Sequence, residues 1–160
     1  MKKLKLYLET SVWNFLFADD APEKRDITKD FFSKVKTGDY EIYVSGLVLQ
    51  EIESTGDVLK RKGLLEAISL YKPTLLTEER NVDLLAQRYI DQATIPKRFR
   101  DDALHIAYAV VNQMDVVVSW NLKHIVNIKT RREVNALNKL EGFSEIDIAT
   151  AEEVISYEQE

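Results

Sequence analysis

Five residues of this chain have types and positions suited to chemistry: Glu9, Glu51, Asp101, Asp102 and Asn121, each beside an apolar run where a strand or helix is expected to begin or end. Taken singly, most have an ordinary explanation. Glu9 reads as a solvent-facing acid beside a helix N-terminus. Asp101 and Asp102 read as an N-cap and a first-turn acid, and Asn121 as a turn residue or cap after a strand. Glu51 is less easily explained. It follows Leu47-Val48-Leu49 and precedes Ile52, and ionised acids in apolar surroundings are uncommon unless they are paired or bind a metal.

Together these oxygens suit Mg²⁺ or Mn²⁺, which take carboxylates and waters and leave room for substrate phosphate. Such an ion offsets the repulsion of clustered acids, activates water and stabilises charge on a phosphodiester undergoing displacement. Competing chemistries lack their residues. The chain has no cysteine, which removes disulfides, thiolate catalysis and Cys-type zinc sites. Its two histidines, His105 and His124, are far apart and lack a third zinc ligand. His105 stands three residues after Asp102 on one expected helix face, as a hydrogen-bonded core histidine or as a support for a ligand. Neither a P-loop, a glycine-rich dinucleotide turn nor a Gly-x-Ser-x-Gly elbow is present.

The elements that must position these residues alternate between strands and helices. Leu4–Leu8 reads as a first strand, with Thr10 or Ser11 capping a helix through Phe17. Ile27, Phe31 and Val35 recur every four residues ahead of a stop at Gly38. A strand over Glu41–Ser45, a short helix over Gly46–Glu53, a helix over Val58–Leu70 and a strand near Pro73–Leu76 follow. Thr77 is expected to cap a helix from Glu78 to Gln92. Asp101 and Asp102 open a helix over Ala103–Gln113, and Val116-Val117-Val118 has the continuous β-branched character of a strand buried on both faces. Helical segments between Leu122 and Leu140, a last strand near Glu145–Ile148 and a capping box at Thr150–Glu153 complete the pattern.

Five strands separated by helices predict an α/β fold, with a mostly parallel sheet covered on both sides and sites off the strands' carboxyl ends. Length and composition, 160 residues with 45% hydrophobic, predict one domain over residues 1–160. The N-terminal run begins like a signal peptide, but Glu9 and Asn14 interrupt it, so a folded strand and helix is the expectation. No stretch approaches the ~20 apolar residues of a membrane span, and the missing cysteines fit a cytoplasmic protein. The formal charge of −5 excludes nucleic-acid binding through bulk positive potential and requires any such contact to be local. Lys97-Arg98-Phe99-Arg100 and the later Lys123, Lys129, Arg131 and Arg132 are either solvated loops or such local contacts, the first able to hold phosphates and stack a base.

Three segments together resemble the PIN-domain family, whose best-known members are the VapC-like ribonuclease toxins of type II toxin-antitoxin systems. They are Leu6-Tyr7-Leu8-Glu9-Thr10-Ser11, Ser45 through Glu51, and Asp102-Ala103-Leu104-His105-Ile106-Ala107 followed by Val116 to Asn121. The resemblance spans nearly the whole chain and implies a three-layer α/β/α sandwich. It implies a metal-dependent endoribonuclease with Glu9, Glu51 and Asp102 as Mg²⁺ or Mn²⁺ ligands and Asn121 and Asp101 as further contributors. It also implies an RNA substrate, a homodimer and a small antitoxin that blocks the groove. Two positions depart from the family pattern: Glu9 replaces an Asp, and Asn121 replaces a charged ligand with a neutral one. They favour an alternative, a non-catalytic PIN-like domain that binds RNA or protein. A metal-dependent phosphatase or a structure-specific DNA nuclease on a related scaffold is a weaker third reading.

Overall fold

Strand β1 (Lys5–Leu8) lies at the centre of a five-stranded sheet, flanked by β2 (Glu41–Val44) and β4 (Val116–Val118), with β3 (Thr74–Leu75) and β5 (Asp147–Ala149) at the edges. The computed structural model describes residues 2–158. Every pairing is parallel. Leu6, Tyr7, Leu8, Val117 and Val118 are wholly buried, as a central parallel strand with both faces covered requires.

Among the described residues, eight α-helices connect and cover the strands: α1 (Thr10–Phe15), α2 (Pro22–Lys36), α3 (Gly46–Glu53), α4 (Val58–Tyr71), α5 (Arg80–Asp91), α6 (Arg100–Val111), α7 (Ile128–Leu140) and α8 (Ala151–Glu158). α2 packs on α1 and α8, and α5 packs on α6 and α7. An aromatic group of Trp13, Phe31, Phe32, Tyr40 and Tyr71 fills one part of the core, with ring centroids 4.7 to 6.5 Å apart. No described helix is long and apolar enough to cross a membrane.

Local boundaries follow capping chemistry. The box at Thr150 forms in both directions, Thr150 N donating to Glu153 Oε1 (3.2 Å) and Glu153 N to Thr150 Oγ1 (3.1 Å). Gly38, at φ +83°, ends the turn after α2. Three expectations shift. Glu9, rather than Thr10 or Ser11, caps α1, because its carboxylate reaches Ser11 N. α5 opens at Arg80 after Glu79, two residues later than expected, so Thr77 does not cap it. α6 already includes Arg100, which places Asp101 and Asp102 inside its first turn rather than before it.

Register aligns the strand ends. Tyr7 pairs with both Tyr43 and Val117, and Leu8 with Val118. Glu9 N continues the ladder to Val118 O at 3.1 Å, and Ser119 N to Ala149 O at 3.0 Å. Glu9, Ser45 and Ser119 therefore leave the sheet along one carboxyl-end rim, where α1, α3 and the chain after β4 begin.

Candidate metal centre

Glu9 stands at the middle of this rim and is only 6% exposed. Its carboxylate is held by three donors: Ser11 Oγ and Ser119 Oγ both donate to Oε1 at 2.6 Å, and Ser11 N donates to Oε2 at 3.2 Å. Each hydroxyl accepts in turn from the backbone beyond β4, Ser11 Oγ from Trp120 N (2.8 Å) and Ser119 Oγ from Asn121 N (2.9 Å). Two parallel relays thus run from backbone amides through serines to one oxygen. Three of the four carboxylate lone-pair positions are engaged, leaving one on Oε2. Reaching both serines from β1 uses the extra methylene that distinguishes Glu from Asp.

Glu51 enters from the second turn of α3, with its side chain one-third exposed. Oε1 accepts from Thr10 Oγ1 at 2.5 Å and from His105 Nε2 at 2.7 Å. Burial raises the Glu51 pKa, but the hydrogen bonds from His105 and Thr10 and the imidazole's charge leave it below the usual carboxylate range.

His105 is wholly buried on α6, and its Nδ1 lies 2.7 Å from Tyr7 Oη, which is 2.8 Å from Ser45 Oγ. Ser45 Oγ also accepts from Val48 N at the start of α3. A neutral His105 is satisfied when Ser45 donates to Tyr7 and Tyr7 donates to Nδ1; a protonated one reverses both bonds. In either state Nε2–H donates to Glu51. Burial opposes the imidazolium, yet the bond to Glu51 and the charges of Glu9, Glu51 and Asp102 raise the His105 pKa. His105 therefore orients Glu51, and its contact with Oε1 leaves Glu51 Oε2 for other partners.

Asp102 lies half-buried in the first turn of α6. Burial, followed by the Glu9 charge, lifts its pKa to about 6, against the opposing effects of His105 and a hydrogen bond from Asn121. Asn121 Oδ1 accepts from His124 N at 3.0 Å, which leaves the Asn121 amide nitrogen to face Asp102. Asp101, one position away and so rotated about 100° around the helix, is exposed and does not join the cluster.

Among the described residues, ligand atoms of Glu9, Glu51 and His105 lie within 4.8 Å of one another. Opposite ligands of a six-coordinate Mg²⁺ stand about 4.2 Å apart, so the oxygens of Glu9 and Glu51 fit one hard cation after small adjustment. Asp102 stands outside this group; burial is the main cause of its raised pKa, and the Glu9 charge, the second cause, is the part a cation would relieve. Sequence reasoning anticipated the acids. It missed Ser11 and Ser119 as holders of Glu9, and Tyr7 as the link between Ser45 and His105; a tyrosine within a strand expected to be buried was the available signal.

No family model matches the sequence, and no curated protein matches it. Among solved structures, the fold matches a chain of VapBC2 from Rickettsia felis, a crystal structure bound to a DNA fragment from their promoter, at 12% identity and a TM-score of 0.56. The match covers 92% of this chain and 98% of that one. Likeness over this length, with the all-parallel sheet in the order β3-β2-β1-β4-β5, shows that the chain has the PIN-like α/β/α fold.

Proposed function

We propose that this chain is a Mg²⁺- or Mn²⁺-dependent endoribonuclease of the PIN type, the toxin of a toxin-antitoxin pair. The observation that carries the reading is the meeting of Glu9 and Glu51 at one rim, with Asp102 crowded beside them. Glu9 and Glu51 hold the cation, with Asp102 as the third carboxylate; Asp101 adds only distant negative charge. The bound ion supplies a lowered water pKa and positive charge against the scissile phosphate. The chain's own residues fix the geometry. Ser11 and Ser119 hold Glu9, Thr10 and His105 hold Glu51, and Asn121 donates to Asp102. The matched VapBC2 complex supports an antitoxin as partner; a homodimer working in the cytoplasm completes the proposal.

One observation favours the second reading, a binding domain without catalysis. Residue 121 is a neutral Asn whose oxygen accepts from His124 N, so this position adds no carboxylate beside Asp102. A cleavage assay separates the readings: purified protein is incubated with single-stranded RNA, matched DNA and a small phosphoester, in Mn²⁺ and in excess EDTA. The nuclease reading expects RNA cleavage that EDTA and Glu51→Gln both abolish. RNA binding with no cleavage in Mn²⁺ would establish the second reading.

A further inference from the structure

The strongest feature outside the carboxylate cluster is a pair of closely apposed, tilted rings near it. Phe99 and His124 lie with centroids 3.9 Å apart and planes 30° from parallel, and the Arg98 guanidinium carbon is 4.9 Å from the Phe99 centroid. Both rings are tethered to the proposed site. Phe99 ends a single 3-10 turn (Lys97–Phe99) and stands three residues before Asp102. His124 stands three residues after Asn121, and its backbone N–H donates to Asn121 Oδ1.

Phe99 packs partly against the core while His124 is only partly buried. His124 also lines a cavity of about 380 Å³ with Pro96, Leu122, Lys123, Asn127 and Lys129, within the range of small-ligand sites. Lys97, Arg98 and Lys123 are exposed around the rings, a local concentration of cations on a chain whose net charge is −5. The partly exposed His124 imidazole presents a flat ring face. Flat faces ringed by flexible cations are the means by which proteins hold unpaired bases and their phosphates.

We propose that the Phe99–His124 pair is a base-stacking platform for a nucleotide of single-stranded RNA flanking the phosphate at the carboxylate cluster, with Arg98 and Lys123 contacting the backbone. This rests on the ribonuclease reading and adds where the strand lies: over the start of α6 and the loop after β4. Lys129 fixes the far wall by donating to the carbonyls of Ala93 (2.9 Å) and Thr94 (3.1 Å).

The test is fluorescence anisotropy with a short labelled single-stranded RNA in EDTA, together with KM and kcat for its cleavage in Mn²⁺. His124→Ala should weaken binding and raise KM about ten-fold, the scale of one lost stacking contact. His124→Tyr should restore both, which a purely structural role of the imidazole would not allow. Scanning one abasic nucleotide along the RNA should reveal one position that costs the wild type about ten-fold and costs His124→Ala little. Unchanged Kd and KM in a folded His124→Ala, or identical abasic profiles for both proteins, overturns the platform and leaves the nuclease reading standing. A His124-dependent abasic profile without metal-dependent cleavage supports the platform and removes the nuclease reading. Wild-type protein that binds no RNA overturns both.

Discussion

Asp102→Asn isolates the electrostatic cost of the site in the metal-free protein. Burial and Glu9 hold the Asp102 pKa at about 6, whereas an Asp in the unfolded chain titrates near 4. Between those values the native state binds more protons than the unfolded state, so this group's stability contribution is intact below about pH 4 and lost as pH rises through 6. The displacement corresponds to about 3 kcal/mol before screening. Because Asp102 is only half-buried, about 1–2 kcal/mol survives solvent screening. Asparagine retains an oxygen for the Asn121 amide and removes the charge. In EDTA at pH 8, Asp102→Asn should therefore unfold about 2–8 °C higher than wild type, and the gain should vanish near pH 4. Mn²⁺ should reverse the order, because an ion at a hundred times its Kd stabilises the wild type by about 2.7 kcal/mol and the variant by less. Thermal unfolding at both pH values, with EDTA and across a Mn²⁺ titration, supplies every term. A gain of equal size at pH 4 and pH 8, or a loss at pH 8, would refute the account of Asp102 as an uncompensated charge.

Asn121→Asp should destabilise the EDTA-treated protein, since it exchanges the amide facing Asp102 for a like charge, while raising Mn²⁺ affinity about ten-fold by calorimetry; unchanged affinity would place residue 121 outside the site. Tyr7→Phe removes the hydroxyl joining Ser45 to His105 and should cost about 1–3 kcal/mol in urea unfolding. It should also weaken Mn²⁺ binding by loosening Glu51, and wild-type values on both counts would dismiss the relay. Ser11→Ala and Ser119→Ala each strip a donor from Glu9 Oε1 and an acceptor from a backbone N–H. Each should cost about 1–3 kcal/mol, and the double variant should depart from additivity by at least about 0.5 kcal/mol. Strict additivity would show that the two relays act independently.

How far these features can be read from sequence depends on the range of the interactions that make them. Strands β1 and β4 are legible because Leu6-Tyr7-Leu8 and Val116-Val117-Val118 are apolar on both faces, as their total burial requires. Glu51 is legible as an acid in apolar company, and the Thr150–Glu153 box because its partners are three residues apart. The edge strand β3 is only two residues long, and local propensity cannot fix a boundary where pairing exists on one side alone. The contacts that hold the site are illegible for a different reason. Ser119 reaches Glu9 across 110 residues, and Tyr7 reaches His105 across 98. Those partners are chosen by the parallel register of β1 with β2 and β4, so serine at a strand end looks like an ordinary cap until the register is known.

The same register explains why the departures at Glu9 and Asn121 belong together. Glu9 carries three donors and Glu51 two, whereas Asp102 has the Asn121 side chain as its neutral hydrogen-bond donor. A carboxylate at 121 would face Asp102 with no proton to give, and the metal-free rim would hold four mutually repelling acids. With asparagine there, the fold tolerates three carboxylates without an ion, and a cation at the proposed site would add stability rather than be a condition for folding. Glu9 contributes from the other side. Its longer arm gathers the hydroxyls of Ser11 and Ser119, which also anchor the amides of Trp120 and Asn121, so the acid just past β1 fixes the loop that presents the Asn121 side chain to Asp102. Aspartate, shorter by one methylene, would bring its carboxylate closer to β1 and relax that anchor. Glu9→Asp should therefore disturb Asn121 and Asp102 as well as position 9.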